Sequence, residues 1–361
     1  MSTAATQPVI TTSDAKSTHA STTVRVGTRK SALALKQADF VVSSLSKLHP
    51  HVHFEIRGMD SLADKDKITA LYSFDKTDGK GLWTNELEAG LVAKELDLVV
   101  HSLKDMPTSL PAGCVLACIP EREDPRDVVV VKKSLEGQYK SLADLPQGSV
   151  VGTSSVRRMA QIRRKYPGLQ FRDMRGNIDT RLRKLDAQDG EYTVLILAAA
   201  GLSRMNLLGR ASQYLESASG GMLHAVGQGG LGLEARADDA TTLALLKPFQ
   251  NEKVMLEAEA ERSVMRTLEG GCSIPIGVET KWIGDDGANN KLRMVATVVS
   301  VDGTEGADAE LEEPIATREE AVAFGIKVAQ ALTEKGAQKI LDVINAEREA
   351  NQQGAEKWVP A

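Results

Sequence analysis

The chain has 361 residues, of which 42% are hydrophobic and 26% charged, proportions typical of a globular protein with a full core. Lys and Arg number 44 against 49 Asp and Glu, so the formal net charge of -5 draws the molecule to neither nucleic acid nor an anionic membrane. Aromatic residues make up only 4%, which argues against a base-stacking platform. The apolar run at residues 192–203 is too short to span a bilayer, which takes about 20 residues.

The cysteine content predicts a reducing compartment, and we therefore expect a cytoplasmic protein. Cys114, Cys118 and Cys272 are too few for a disulfide framework in a chain of this length. The first 23 residues are rich in Ser, Thr and Ala, with no arginine and no apolar stretch of secretory length. They are predicted to form a disordered tail rather than a targeting segment.

Strands and helices alternate from residue 24 onward, as is typical of an α/β protein. Residues 24–26 predict a strand, followed by a helix in which apolar residues recur every three or four positions: Leu35, Ala38, Val42, Leu45 and Leu48. A second helix is predicted at 86–95, and further strands at 54–56, 98–102, 149–152, 169–171 and 193–197. The alternation predicts parallel sheets with right-handed crossovers, in two α/β units that flank a cleft.

The remaining segments differ in character. Residues 57–82 are charged and weakly periodic, which favours a lid or a disordered segment. After residue 251 the pattern predicts a helix to 269, a strand at 292–301, and a final helix that opens on the capping-box sequence Thr317-Arg-Glu-Glu320 and ends near Gly336. The predicted organisation is a tail (1–23), a first α/β domain (24–123 and 227–250), a second α/β domain (124–226) and a small α+β domain (251–361).

The strongest anomaly of composition is a basic block at residues 157–184. Only Asp173 and Asp179 offset its ten basic residues, which are Arg157, Arg158, Arg163, Arg164, Lys165, Arg172, Arg175, Arg181, Arg183 and Lys184. Any one of these could belong to a solvated helix face, but the block as a whole favours a polyanion site, because the arginine fork matches carboxylates and phosphates. Thr153, Ser154 and Ser155 precede a predicted helix, whose N-terminus would offer free N–H groups. Arg163 and Arg164 are expected on the solvated side of that helix.

Two further segments carry candidate chemistry. The strand at 98–102 delivers Ser102, Lys104 and Asp105 to its carboxyl end, where ligands of open α/β sheets bind. Asp105 could form a surface ion pair with Lys104 or act in general acid–base catalysis. Cys272 follows two glycines that permit close approach of another group, so its thiol is a candidate for covalent chemistry. Cys114 and Cys118 fit the commoner fate of a buried thiol.

Two weaker patterns could suggest a metal site or a dinucleotide-binding motif, but neither is specific enough to predict one. His49, His51 and His53 alternate, but without an acidic or cysteine partner they do not predict a metal site. The glycines at 227–232 depart from the spacing of a dinucleotide motif, and a crossover between domains is the more economical interpretation.

Six segments in one order over about residues 24–276 resemble the hydroxymethylbilane synthase family, also called the porphobilinogen deaminase family. They are Arg25-Val-Gly-Thr-Arg-Lys-Ser31, Val99-Val-His-Ser-Leu-Lys-Asp-Met-Pro107, Val151-Gly-Thr-Ser-Ser-Val-Arg-Arg158, Arg175-Gly-Asn177, Ala225-Val-Gly-Gln-Gly-Gly-Leu-Gly232 and Glu269-Gly-Gly-Cys-Ser273. The resemblance implies two domains like type II periplasmic binding proteins that flank a cleft, plus a small α+β C-terminal domain. It also implies the head-to-tail condensation of four porphobilinogen molecules with release of ammonia, and hydrolysis to linear hydroxymethylbilane in heme biosynthesis.

The resemblance further implies a dipyrromethane cofactor, bound through a thioether to Cys272, and a catalytic role for Asp105. Cofactor contacts are implied for Lys104, Ser102, Thr153, Ser154, Ser155, Arg157, Arg158 and Gln228. Substrate contacts are implied for Arg29, Ser31, Arg175, Gly176, Asn177, Arg181 and Arg204. Because each pyrrole brings an acetate and a propionate, the basic block would complement a growing polyanion.

We therefore expect a monomeric transferase that uses porphobilinogen and contacts neither nucleic acid nor membrane. A non-catalytic anion-binding protein of the same two-domain fold is the main alternative, and it would need neither Asp105 nor a modified Cys272. A nucleic-acid-binding protein is disfavoured by the net charge and the scarcity of aromatic residues. Only the synthase would carry a covalent dipyrromethane, which an intact mass spectrum detects.

Overall fold

A computed structural model describes residues 23–60, 84–268, 274–284 and 290–356 of the chain. The predicted tail apart from Thr23, most of the predicted lid and Cys272 lie outside these residues. Thr23, predicted as the end of the tail, and residues 57–59, predicted as the start of the lid, belong instead to strands. Among the described residues, no helix combines the length and apolar character needed to cross a membrane.

The strands form three sheets, one in each of three domains. In chain order they are β1 (Thr23–Arg29), β2 (His53–Met59), β3 (Leu98–Ser102), β4 (Cys114–Cys118), β5 (Asp127–Val131), β6 (Val150–Gly152), β7 (Gln170–Arg172), β8 (Val194–Ala198), β9 (Gln213–Leu215), β10 (Leu231–Arg236), β11 (Ile276–Ile283), β12 (Lys291–Val299) and β13 (Gly306–Pro314). The described α-helices are α1 (Ala32–Leu48), α2 (Asn85–Val92), α3 (Val156–Lys165), α4 (Ile178–Asp186), α5 (Ala199–Arg204), α6 (Ala240–Leu246), α7 (Glu252–Thr267), α8 (Arg318–Glu334) and α9 (Ala337–Glu356).

The first two sheets have the same topology. The first has the strand order β2-β1-β3-β10-β4 and the second β7-β6-β8-β5-β9. In each, the second strand of the order (β1 or β6) is parallel to both of its neighbours, whereas the strand that arrives from the other domain (β10 or β5) runs antiparallel to its neighbours. The sheets are therefore mixed rather than parallel throughout, because the chain passes twice between them. This topology confirms the type II periplasmic-binding-protein fold.

The two passes between the sheets are residues 119–126, from β4 to β5, and 216–230, from β9 to β10. Of the glycines at 227–232, Gly227, Gly229 and Gly230 lie on the second pass, as predicted for a crossover between domains, and Gly232 lies in β10. The domain limits predicted at 123/124 and 226/227 fall within these passes and stay a prediction.

The third domain is the small α+β unit expected from the sequence. Strands β11, β12 and β13 form an antiparallel sheet, and α7 and α8 pack with it around the fully buried Phe324. The capping box is confirmed: the Glu320 amide donates to Thr317 Oγ1, and the Thr317 amide donates to Glu320 Oε2. Gly336, at a φ of +97°, follows the end of α8, and the unpredicted α9 begins directly after it.

Helix α1 forms where predicted but buries a different face. The residues that face sheet 1 are Ala34, Gln37, Ala38, Val41 and Leu45, whereas Leu35 and Leu48 are exposed. The buried stripe has the expected helical spacing but is shifted by about one residue from the predicted face. The prediction used apolar residues alone, whereas the buried stripe includes one polar residue. Gln37 is that residue, and its amide bonds a side chain at the end of β3.

Candidate active site

Asp105 lies in a short turn at the carboxyl end of β3. Residues Leu103–Asp105 form one turn of 3-10 helix, and the Leu103 amide donates to the Gly230 carbonyl at 3.0 Å. Gly227 adopts a φ of +70°, and a Cβ there would meet Leu103 Cγ at 2.8 Å. Position 227 therefore requires glycine, because the pass packs closely against Leu103 in the turn that carries Asp105.

A small pocket opens beside this turn. Asp105, Ser102 and Arg29 line it, together with Gln37, His101 and three smaller or apolar residues, Ala34, Thr84 and Val100. Gln37 Nε2 lies 2.9 Å from Ser102 Oγ, so α1 fixes the hydroxyl next to Asp105. The structure therefore brings together three of the predicted site residues from two strands of sheet 1.

Ser31 has a local role in the same region. It is the N-cap of α1, and its hydroxyl accepts the Ala34 amide at 3.3 Å. The capping bond sets the start of the helix that carries Gln37.

We call the region of the two passes between the sheets, residues 119–126 and 216–230, the junction. At its second-sheet end, the buried carboxylate of Asp127 binds the two arginines of the first turn of α3. Arg158 donates to Asp127 Oδ1 from Nε at 3.0 Å and from Nη2 at 2.6 Å, and Arg157 Nη2 lies 2.8 Å from Oδ2. Each arginine also donates to a main-chain carbonyl, Leu223 for Arg157 and Ile196 for Arg158. The side chains of all three charged residues are at most 7% exposed. These two arginines therefore face inward onto a shared carboxylate.

Gln228 links this cluster to the Asp105 turn. Lys104 Nζ donates to Gln228 Oε1 at 3.2 Å, while Gln228 Nε2 donates to Asp127 Oδ1 at 3.0 Å and to the Pro125 carbonyl at 2.7 Å. Gln228 lies on the second pass and bonds Pro125 on the first. The same amide also bonds the Lys104 cation of the first domain and the Asp127 anion of the second.

The charges at the junction act on one another's pKa values. Burial would raise the pKa of Asp127, but its two arginine partners outweigh burial and hold that pKa well below its usual range. Burial and Arg158 lower the pKa of Lys104 to about 8, although Asp105 and Asp127 oppose the shift. Burial and Arg158 also lower the pKa of the Arg181 guanidinium to about 10. Burial is thus the main cause of both shifts, and Arg158 adds repulsion at Lys104 and Arg181 that a bound anion would offset.

The hydroxyl residues before α3 are engaged in local bonds. Thr153 Oγ1 accepts the Ser155 amide at 3.2 Å, and Ser155 is the N-cap of α3, accepting the Arg158 amide. Ser154 Oγ donates to the Met174 carbonyl at 2.8 Å and accepts the Met174 amide. Their side chains shape the start of α3, whose N-terminus carries a partial positive charge.

The remaining predicted residues lie on a loop and two helices of the second domain. Arg175 Nε is 3.1 Å from Asp173, and Gly176, at a φ of +111°, accepts Arg181 Nε through its carbonyl at 2.7 Å. Asn177 is the N-cap position of α4. Arg204 is at the end of α5 and donates to the Gly229 carbonyl at 2.7 Å, on the second pass between the sheets. Cys272 lies outside the described residues.

The prediction that Arg163 and Arg164 lie on the solvated side of α3 holds for Arg164, which is exposed, whereas Arg163 is half-buried. Arg163 Nη1 donates to the Val301 carbonyl at 2.9 Å, and Arg164 forms a two-pronged bond to Asp308 at 3.0 and 2.7 Å. The third domain packs on the last turn of α3, so these arginines contact another domain rather than solvent alone. Such a contact leaves no local trace in the sequence.

Sequence reasoning missed Asp127, Gln37 and His101. Asp127 follows Pro125-Arg126 and carries no pattern that separates it from a surface acid. Gln37 had one signal, since it is a polar residue between apolar positions of a helix. His101 occurs inside the motif around Asp105, and its ring bonds Glu234 of β10 at 2.9 Å with both side chains buried.

A solved structure with a similar architecture is the periplasmic aliphatic sulphonate binding protein SsuA from Escherichia coli. The match covers 88% of this chain and 90% of that chain at 14% identity and a TM-score of 0.37. The fold class is carried by the strand orders of the two sheets and not by this likeness.

Comparison with known sequences gives much stronger similarity. The family described as "Porphobilinogen deaminase, dipyromethane cofactor binding domain" matches residues 24–244, and "Porphobilinogen deaminase, C-terminal domain" matches residues 255–334. A porphobilinogen deaminase of Neurospora crassa is 57% identical over 330 residues, covering 90% of this chain and 95% of that protein. One from Yarrowia lipolytica is 50% identical over 329 residues, covering 90% and 94%. With both of its parts matched and the motifs in place around one junction, the chain belongs to the porphobilinogen deaminase family.

Proposed function

We propose that Asp105 is the catalytic carboxylate of this synthase, which joins four porphobilinogen molecules head to tail with release of ammonia and hydrolyses the product to linear hydroxymethylbilane. One observation carries the proposal. Asp105 lies at the carboxyl end of β3, within electrostatic range of Lys104 and Arg181, at the junction where Gln228 connects the two α/β domains. A carboxylate held there faces the space in which an anionic substrate would be bound.

The residues at the junction fit the family's dipyrromethane cofactor. Two linked pyrroles bring acetate and propionate groups, which are recognised by cations and N–H donors. Lys104, Arg157, Arg158 and Arg181 outnumber the two carboxylates Asp105 and Asp127. Burial is the main cause of the lowered pKa of Lys104, and repulsion by Arg158 adds to it. A bound polyanion would relieve that repulsion.

When bound, the cofactor supplies a nucleophilic α-carbon at its terminal pyrrole. In each condensation the amino group of porphobilinogen leaves from its protonated form. The bond between the methylene carbon and the ammonium nitrogen breaks, and the nitrogen keeps the bonding electrons and leaves as ammonia. Positive charge then develops on the pyrrole nitrogen, and the Asp105 carboxylate stabilises it in a site of low polarity. Asp105 would also accept the proton that the condensation releases.

The other residues are proposed to bind the acidic side chains of the pyrroles. On the cofactor side these are Lys104, Ser102, Thr153, Ser154, Ser155, Arg157, Arg158 and Gln228. On the substrate side they are Arg29, Ser31, Arg175, Gly176, Asn177, Arg181 and Arg204. The hydroxyls before α3 and the capping Ser31 would contribute by shaping helix N-termini that point at anions.

Cys272 is the proposed attachment point of the cofactor. The other two thiols support this choice, because burial raises the pKa of Cys114 to about 11 and that of Cys118 to about 12, so neither forms a thiolate readily. Both are free cysteines, which is consistent with a reducing compartment, and we propose a cytoplasmic monomer.

The test of the catalytic assignment is Asp105→Asn, which keeps the size and hydrogen bonding of the side chain but removes its charge. Single-turnover experiments with porphobilinogen should show a loss of at least about a hundredfold. Asp238→Asn is the matched control, an exposed carboxylate in the turn after β10, and should react at the wild-type rate. Near-normal condensation by the Asp105 variant would place the catalytic carboxylate elsewhere.

The test of the attachment point is an intact mass spectrum followed by peptide mapping. The purified protein should carry a dipyrromethane adduct on the peptide that contains Cys272, and Cys272→Ala should be folded, unmodified and inactive. An unmodified Cys272 in active enzyme would contradict the assignment. Absence of any adduct together with absence of turnover would favour the non-catalytic anion-binding alternative.

A further inference from the structure

Helix α7 of the third domain holds the segment that leaves the Asp105 turn. Arg262 is buried and donates from Nη1 to the Met106 carbonyl at 3.2 Å and from Nη2 to the Pro107 carbonyl. One helical turn further on, Arg266 donates to the Thr108 carbonyl at 3.0 Å. Three successive carbonyls directly after Asp105 are therefore bound by arginines of another domain.

Arg262 has no ion-pair partner to explain its burial within the part of the chain that the structure describes. Burial of a guanidinium is costly unless its donors are satisfied, and here burial lowers the pKa of Arg262 to about 10. Glu259 and Glu234 act on it only through space. Its charge-assisted hydrogen bonds go instead to main-chain carbonyls, so the side chain fixes the path of the backbone.

Apolar packing supports the same contact. Met106 and Leu103 belong to one buried cluster with Val254, Met255 and Ala258 of α7. The Met106 amide also donates to the Leu103 carbonyl at 3.2 Å, which closes the turn that carries Asp105. The turn is thus clamped on both sides of Asp105, by sheet 1 before it and by α7 after it.

We propose that Arg262 is a positioning residue for Asp105. It fixes the position of the catalytic carboxylate relative to the third domain. The inference rests on the function proposed above for Asp105. In the sequence, Cys272 follows the last residue of α7 by five positions. One helix therefore both fixes the Asp105 turn and sets the origin of the segment that carries the proposed attachment thiol.

The experiment compares Arg262→Lys with Ser263→Ala. The lysine variant keeps the charge but loses the fork that reaches two carbonyls. Ser263 is the adjacent buried residue, and its hydroxyl donates to the Val322 carbonyl of α8 at 2.8 Å, away from the Asp105 turn. The control therefore weakens α7 packing without touching the turn.

For Arg262→Lys we expect amide hydrogen exchange in a peptide covering residues 103–110 to accelerate about tenfold, with a fall in kcat of about tenfold and little change in KM. Ser263→Ala should lower thermal stability but leave the exchange of that peptide and kcat unchanged. Arg266→Lys provides a second, more exposed variant in case the buried substitution prevents folding, and should raise exchange in the same peptide about threefold.

The proposal is overturned if folded Arg262→Lys exchanges and turns over like the wild type. It is also overturned if Ser263→Ala, at an equal loss of stability, lowers kcat by the same factor, because the effect would then be general destabilisation. Rapid turnover by Asp105→Asn would refute the proposed function without altering the exchange result, so the two failures are distinguishable.

Discussion

The buried carboxylate of Asp127 offers a quantitative test of how the junction is stabilised. Asp127→Asn preserves the shape of the side chain but leaves the guanidinium groups of Arg157 and Arg158 without their shared anion. Removing one partner of a buried ion pair typically costs about 3–5 kcal/mol, since an uncompensated charge remains in the interior. We expect a loss of about 3 kcal/mol in the free energy of unfolding, because the amide oxygen can still accept one of the hydrogen bonds.

The loss should depend on the cofactor. Carboxylates of a bound dipyrromethane would offer the two arginines an alternative anion, so the cost of Asp127→Asn should be larger in cofactor-free protein. Urea unfolding followed by circular dichroism measures this, with Asp127→Asn placed once in the wild-type background and once in the Cys272→Ala background. The difference between the two backgrounds is the coupling between Asp127 and the cofactor.

The pH dependence follows from the lowered pKa of Asp127. Its contribution to stability is present above the pKa of about 3.9 that an unfolded aspartate has, and it is lost as the pH falls through the lower folded value. Asp308→Asn is the control, an exposed carboxylate paired with Arg164, and should cost less than about 1 kcal/mol. A loss below about 1 kcal/mol for Asp127→Asn in the cofactor-free background would refute the reasoning.

Three further outcomes are expected. Burial raises the pKa of Glu88, so the contribution of this residue to the free energy of unfolding is present below its unfolded-state pKa and is lost as the pH rises through the folded pKa. In urea titrations Glu88→Gln should therefore match the wild type near about pH 4 and lose less stability than the wild type by about pH 8. Although burial opposes it, Arg122 helps to lower the pKa of Glu261 to about 2, so Glu261→Gln should cost about 3–5 kcal/mol near neutral pH and converge on the wild type near about pH 2. Arg164→Ala should cost under about 1 kcal/mol in urea unfolding with no change in kcat, because its bond to Asp308 is exposed; a larger loss would mean that the contact between domains is stronger than its exposure indicates.

Features whose hydrogen bonds close within a few residues could be predicted from the sequence. The capping box at Thr317 and the end of α8 near Gly336 depend on neighbours three or four positions away, and both were found as expected. The strand that ends at Ser102 and the turn to Asp105 were also correctly predicted, because apolar runs and turn residues determine them locally. The motifs around them were specific enough to identify the family.

Only the tertiary structure decided which charges neutralise one another. Asp127 lies about thirty positions before the arginines it pairs with, and Asp308 is 144 positions from Arg164, so no local period connects them. The same holds for the direction of β10, which is antiparallel because the chain returns from the other domain. Burial and pairing of charges depend on which segments fold against each other, and this is why the sequence could indicate a basic block but not which of its arginines face inward.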